Sequence, residues 1–410
     1  MTPPSASPAK QPVYAILGAI SISHFLNDIM QSLLLALYPL FKGEFALSFV
    51  QIGLITLCFQ LTASILQPIV GLITDRRAMP WSLAAGMVCT FTGLIVLSQA
   101  SSFAHVLLAA ALVGLGSSIF HPESSRVARM ASGGQHGWAQ SIFQVGGNAG
   151  AAAGPLLAAW FVLPRGQHSI AWVALAALVG LVIVSYVGRW MRHQHRKARA
   201  NQSLTPPASI SRRQLMILGL LFTLMFSKFF YLSSLNSYLM FFLQHQFHIS
   251  TLVAQYHLFA FLAAVATGTL LGGAIGDRIG RRRVIWISIL GIAPFTLALP
   301  YASLQGSLFL SIIIGFMLAS AFPAMVVYAQ ELFPGRVGAI SGLFFGLAFG
   351  LAGIGAALLG KVADTYGIVT LYHLCSYLPL LGIFALKLPE LRPTKSGSDS
   401  VDMMNGVDMK

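Results

Sequence analysis

The sequence predicts an all-α membrane protein of about twelve transmembrane helices arranged as two parallel six-helix repeats. Three observations carry that prediction. Of 410 residues, 56% are hydrophobic and only 9% are charged, and the mean hydropathy is +0.76; soluble domains carry about a quarter charged residues. About a dozen apolar stretches approach or exceed the roughly 20 residues that cross a bilayer. Landmarks of the first half also recur in the second at a nearly constant offset.

The elements follow in order. The first dozen residues are rich in Pro, Ser and Ala. The apolar stretch after them runs past Asp28 to Leu40, too long for the core of a signal peptide, so it reads as the first span, 14–40. Five more spans follow at 50–73, 82–100, 104–127, 137–163 and 169–190. A basic stretch over 191–213, with Thr205-Pro206-Pro207 at its centre, reads as a cytoplasmic linker. It divides an N-terminal half, 1–190, from a C-terminal half, 214–388. The second half supplies spans 215–243, 252–275, 283–301, 305–330, 336–363 and 369–388, and the polar tail 389–410 is expected to be disordered.

The repeat shows in three places. Gly71-x-x-x-Asp75-Arg76 closes the second span and Gly273-x-x-x-Asp277-Arg278 closes the eighth, 273 − 71 = 202. Gly146 and Gly150 match Gly346 and Gly350 at an offset of 200, and Gly134 and Gly137 match Gly335 and Gly338 at 201. Six spans per repeat give both halves the same orientation, so their axis lies along the membrane normal.

The formal charge of +14 raises the question of nucleic acid. Its distribution answers it. Arg and Lys crowd alternate short loops: Arg76–Arg77, Arg126 with Arg129, Arg189 to Arg213, Arg278 with Arg281–Arg283, and Arg336. Cytoplasmic loops carry that excess, so both termini are expected inside, with lipid as the surrounding partner and no nucleic acid. Cys58, Cys89 and Cys375 lie scattered in apolar segments without metal or redox spacing. His245, His248 and His257 form no metal constellation. No metal, no cofactor and a monomer are expected. There is no G-x-x-x-x-G-K-[ST] for ATP, which leaves an ion gradient or the cargo's own gradient as the energy source.

Ionisable groups inside a span are costly and are functional candidates by default. His24, Asp28 and Gln31 fall at i, i+4 and i+7 with Asn27 beside them, one polar stripe on the first helix. Asp28 reads as a proton-coupling carboxylate or as a fixed polar contact to a neighbouring helix. Lys228 is its repeat mate, 228 − 28 = 200, with Tyr231 close to its face. The opposite charges suggest an ion pair across a central path, with Lys228 also attracting anionic substrates. A permanent structural pair is the alternative. At the inner end of the fourth span stand His121, Glu123, Arg126 and Arg129. Glu123 and Arg126 are spaced to pair, Glu123 is a second proton-coupling candidate, and Arg126 either meets substrate or is an interface charge. Glu331 is expected to accept from Arg278 or Arg336 as part of an inner gate. The glycines of spans five and eleven permit close helix approach, and Gly154-Pro155 can bend a helix.

Gly273-Ala-Ile-Gly-Asp277-Arg278-Ile-Gly280-Arg281-Arg282 resembles the loop motif of the major facilitator superfamily. The first copy, Gly71-Leu-Ile-Thr-Asp75-Arg76, keeps Gly, Asp and Arg and lacks the later Gly-Arg-Arg. Gly146-x3-Gly150-x3-Gly154-Pro155 resembles the glycine–proline motif of the drug/proton antiporter branch, with Ser141 and Ala158-Ala159 departing from it. Ser23-His24-Phe-Leu-Asn27-Asp28, Phe120-His121-Pro122-Glu123 and Tyr328-Ala-Gln330-Glu331 extend the resemblance along the chain. It implies the superfamily's fold, gating roles for Asp75, Arg76, Gly273, Asp277, Arg278, Gly280, Glu331 and Arg336, and packing roles for Gly146, Gly150, Gly154 and Pro155. It also implies a non-enzymatic, proton-driven exporter in a bacterial inner membrane, with phosphonate antibiotics among its substrates. An uptake symporter for an organic anion uses the same fold. A membrane sensor or enzyme would carry a soluble domain or a convergent catalytic cluster, and neither is visible.

Overall fold

The computed structural model describes residues 11–47, 49–77, 79–201 and 210–391, and every regular element among them is helical. Twelve helices account for the expected spans: α1 (Tyr14–Ala36), α2 (Phe49–Arg76), α3 (Ser82–Ser98), α4 (Phe103–Ala131), α5 (His136–Leu157) and α6 (Ile170–Asn201), then α7 (Arg212–Phe247), α8 (Thr251–Ile279), α9 (Arg281–Ile289), α10 (Leu304–Ala319), α11 (Val337–Tyr366) and α12 (Ile368–Ser376). Short helical segments continue α1, α5, α9, α10 and α12, of which Ala321–Leu332 extends α10. Among the described residues, nine stretches are long and apolar enough to cross a membrane. α3 is apolar but has 17 residues. α1 and α5 are the other two outside that count, and they carry the polar stripe and the glycine seam.

α6 runs to Asn201, so the expected linker begins as helix. The centre of that linker, 202–209, and the tail from 392 lie outside the described residues. The α7 start is fixed by a capping box, in which Ser211 Oγ accepts from Gln214 N and Gln214 Oε1 accepts from Ser211 N.

α1 lies along α5 within the N-terminal half, and the glycines explain how closely. A Cβ on Gly146 would meet the Ser21 carbonyl, one on Gly150 the Phe25 carbonyl, and one on Gly154 the Ser32 hydroxyl. Ser32 Oγ donates to the Ala151 carbonyl at 3.0 Å. That carbonyl is the one Pro155, lacking an N–H, cannot serve. The proline therefore costs α5 one internal bond, and α1 replaces it. The ring of Pro155 is outside the described residues. A π-helical stretch, Ala158–Val162, follows.

Between the halves, α2 packs on α11 and α5 on α8, two contacts related by the repeat. Their crossings are glycine on glycine: a Cβ on Gly71 would strike the Gly338 backbone, and one on Gly273 the Gly137 backbone. Gly342 abuts Gln67 and Gly346 abuts Ser64, but a Cβ on Gly350 or Gly353 would meet nothing within 4 Å. α11 thus leaves α2 beyond Gly346. The two halves meet at the arginine-rich end, where α2 touches α11 and α5 touches α8.

Candidate functional site

The polar stripe of α1 converges on Asp28. Its Oδ1 accepts from Asn27 Nδ2 at 3.0 Å and from Gln31 Nε2 at 3.1 Å. Its Oδ2 lies 3.2 Å from His24 Nε2, and Oδ1 lies 3.5 Å from His121 Nε2. Both imidazoles are held from behind. His24 Nδ1 is 2.7 Å from the Phe143 carbonyl and His121 Nδ1 is 3.0 Å from the Ser117 carbonyl. The Phe143 carbonyl calls for Nδ1–H on His24; His121 Nδ1 meets both the Ser117 carbonyl and, at 3.2 Å, the Ser117 hydroxyl, and in both rings Nε2 is the nitrogen that faces the carboxylate. His24 and His121 are buried, while the Asp28 side chain is 14% exposed. His24 stacks on Phe143, and Gly147 leaves room for it, since a Cβ there would strike the imidazole.

Lys228 does not complete an ion pair with Asp28. An aromatic layer stands between them. His121 packs on Phe345 and Phe349 of α11, Phe345 meets Phe322, and the Lys228 ammonium sits over Phe229 and Phe322 at 5.1 and 5.8 Å from the ring centres. The expected cross-path pair is therefore absent in this conformation: two histidines occupy the carboxylate, and the ammonium rests on ring faces. Among the described residues Lys228, buried at 3% exposure, forms no ion pair. Tyr231, expected on the cavity face, packs instead with Leu235, Phe242 and Tyr372 in the core of the C-terminal half. Three residues past Lys228, about 60° short of a full turn, its ring enters that core.

Arg126, read as a substrate contact or an interface charge, is engaged by the end of α2. Its guanidinium donates to the Thr74 carbonyl at 2.7 Å, Thr74 Oγ1 at 2.9 Å and Asp75 at 2.6 Å. Glu123 is fully buried, 3.4 Å from the same guanidinium, and accepts from Ser82 Oγ. The i, i+3 pairing holds, and it places Glu123 there rather than beside Asp28.

The contact between the halves is built on two reciprocal caps. Asp75 accepts from Gly338 N at 2.9 Å and Ala339 N at 2.7 Å, the free amides that start α11. Asp277 accepts from Gly137 N at 3.0 Å and Trp138 N at 2.8 Å, the free amides that start α5. Each half thus supplies the N-terminal cap of a helix in the other, where carboxylate and helix dipole attract. Glu331 pairs with Arg281 at 3.1 Å, and Arg281 also holds Asp277 at 2.9 Å. Arg281 takes the place expected of Arg278 beside Glu331, because the helix starting after Gly280 (φ +95°) turns Arg281 back over Asp277. Arg76 and Arg278 are exposed. Arg129 donates to Gln330 at 3.3 Å, and Gln330 reaches Ser125 and Ser341. Arg129 and Gln330 are repeat mates, 330 − 129 = 201, meeting on the axis. The sequence singles out His121 and Arg129 on the fourth span without their partners, and gives no individual role to Gly147, Gln330 or Arg281; of these, only Arg129 with Gln330 carried a signal, through the repeat.

Comparison with known proteins agrees with this architecture. A model of the Major Facilitator Superfamily matches residues 20–254 and 229–403. The fosmidomycin resistance protein of Escherichia coli (strain K12) is 57% identical over 380 residues, covering 92% of this chain and 94% of that one. A Bacillus subtilis (strain 168) protein named as an uncharacterized transporter of the same type is 38% identical over 381 residues, with 92% and 93% covered. The human organic anion transporter MFSD10 has the same fold, with a TM-score of 0.72 at 19% identity, covering 92% of this chain and 100% of that one.

Proposed function

The chain belongs to the major facilitator superfamily, and from that premise we propose that it exports small molecules from a bacterial cytoplasm, the phosphonate antibiotic fosmidomycin among them, in exchange for protons. The observation that carries this reading is the 57% identity, over nearly the whole chain, to a protein that bears that resistance in its name. Both termini lie in the cytoplasm on this reading, so the arginine-rich closed end is the inner side and the cavity opens outward.

The geometry supports a division of parts. Lys228 is a buried cation without a carboxylate partner among the described residues, cushioned on two phenyl rings, and the phosphonate is its fitting counter-charge. Asp28, braced by His24, Asn27, Gln31 and His121, is the acidic group best placed to exchange a proton with the open cavity. Glu123, sealed under Arg126, is the second candidate and belongs to gate release. Rocking of residues 1–190 against 214–388 breaks the two caps and passes the cargo, as expected for parallel repeats.

The test is fosmidomycin flux in proteoliposomes of native protein and Asp28→Asn under an imposed proton gradient. Export into an acidic compartment that fails in the variant, with binding retained, supports the reading. Coupled flux in the variant moves the proton elsewhere, with Glu123→Gln next. Accumulation in the direction of proton flow makes the protein an uptake symporter, and absence of native flux removes the substrate.

A further inference from the structure

We infer that His24, Asp28 and His121 form a binding site for a divalent first-row transition ion of the zinc and cobalt type. The argument is one of lone pairs. Nδ1 of each ring is committed to a backbone carbonyl, Phe143 for His24 and Ser117 for His121. His121 Nδ1 also meets the Ser117 hydroxyl at 3.2 Å; with Nδ1–H on both rings, the two Nε2 lone pairs point at a carboxylate that is itself an acceptor. Both Nε2 atoms are buried and make no hydrogen bond. With both rings neutral and in that tautomer, three acceptors face one point, and such a point takes a cation.

The spacing fits a metal. Ligand atoms from the three residues lie within 4.8 Å of one another, and the closest pairs are 3.2 and 3.5 Å apart. A tetrahedral ion with bonds of about 2.0–2.1 Å holds its ligands roughly 3.3 Å apart. The surroundings fit as well. Metal-binding imidazoles donate their other N–H to a carbonyl, and metal-binding carboxylates are hydrogen-bonded in turn. Here the carbonyls are those of Phe143 and Ser117, and Asn27 and Gln31 steady the carboxylate through Oδ1. Two imidazoles and one carboxylate suit zinc, cobalt or nickel better than magnesium or calcium. Three protein ligands leave a fourth position for water or an oxyanion, and the partly exposed Asp28 gives the ion a way in from the cavity.

The inference stands apart from the transport reading, except that a metal ion and a proton would compete for the same lone pairs. The test uses the full chain, purified in detergent, stripped with a chelator and titrated with Co2+ at neutral pH. The expected result is one ion per chain with the intense visible bands of a tetrahedral nitrogen–oxygen site. His24→Gln and His121→Gln should each weaken binding more than tenfold, and Asn27→Ala by about tenfold. Double substitution of the peripheral His245 and His248 by Ala should change nothing. Failure of the native protein to bind Co2+ stoichiometrically, or binding that survives in the His24→Gln/His121→Gln pair, overturns the site. The native titration decides even if a variant misfolds. Fosmidomycin flux without metal binding would sink this inference and spare the transport reading; metal binding without flux would do the reverse.

Discussion

At the scale of single residues, buried charge is the organising expense. Asp28 and Lys228 sit on opposite halves at equivalent positions, and each has been given a different remedy. The carboxylate receives two amide donors and two imidazoles, whereas the ammonium receives only phenyl faces. An anion arriving at Lys228 would replace a weak attraction with a charge-assisted hydrogen bond worth about 1.5–3 kcal/mol. Lys228→Ala should therefore raise the apparent Kd for a phosphonate by at least about tenfold, while Lys228→Arg should retain part of the affinity; equilibrium binding to detergent-solubilised protein measures both. The stripe on α1 is legible in sequence because local helical spacing fixes it. His121 is not. It lies far along the chain, on α4, and only tertiary packing brings its Nε2 to Asp28. The expected Asp28–Lys228 pair fails for a related reason: the repeat locates both residues, but it carries no information about the phenylalanines that fill the space between them.

At the scale of elements, the glycine–proline seam joins α1 to α5. The three glycines let the backbones touch, and the hydroxyl of Ser32 serves the carbonyl that Pro155 leaves without a helical donor. Removing that donor strands a carbonyl at a helix–helix contact. Ser32→Ala should cost about 1 kcal/mol, read as a lowered thermal midpoint of the purified protein, while Gly150→Val should prevent the two helices from closing and abolish accumulation of folded protein. The glycine spacing is readable from the chain; the reciprocal service between proline and serine is not, since it depends on the rotation of α1 relative to α5. The same holds at the inner gate. The motif identifies Asp75, Asp277 and the glycines at once, but Arg281, rather than Arg278, holds Glu331 because the helix restarts at Gly280 and changes which arginine faces inward.

At the scale of the whole molecule, the two caps make the contact between the halves, the inner gate on the proposed reading, a sum of two similar and separate terms. Asp75 closes α11 and Asp277 closes α5, each with two bonds from charged oxygen to helix amides. An amide in place of either carboxylate keeps the shape and loses the charge. If each exchange costs about 1.4 kcal/mol, within the range for charge-assisted bonds, each single variant shifts the balance between inner-closed and inner-open forms by about tenfold. The sites share no partner, so their effects should add in free energy, and Asp75→Asn/Asp277→Asn should shift it by about a hundredfold. Ser341, buried in the gate where Gln330 donates to it, is a suitable reporter. In a background where Cys58, Cys89 and Cys375 are replaced by Ser, a cysteine at position 341 should react slowly with a maleimide in the parent. It should react about ten times faster in each single variant and about a hundred times faster in the double, up to the rate of an open site. A double variant no faster than the singles would mean that one cap alone governs closure and that the structural symmetry of the gate is not an energetic one.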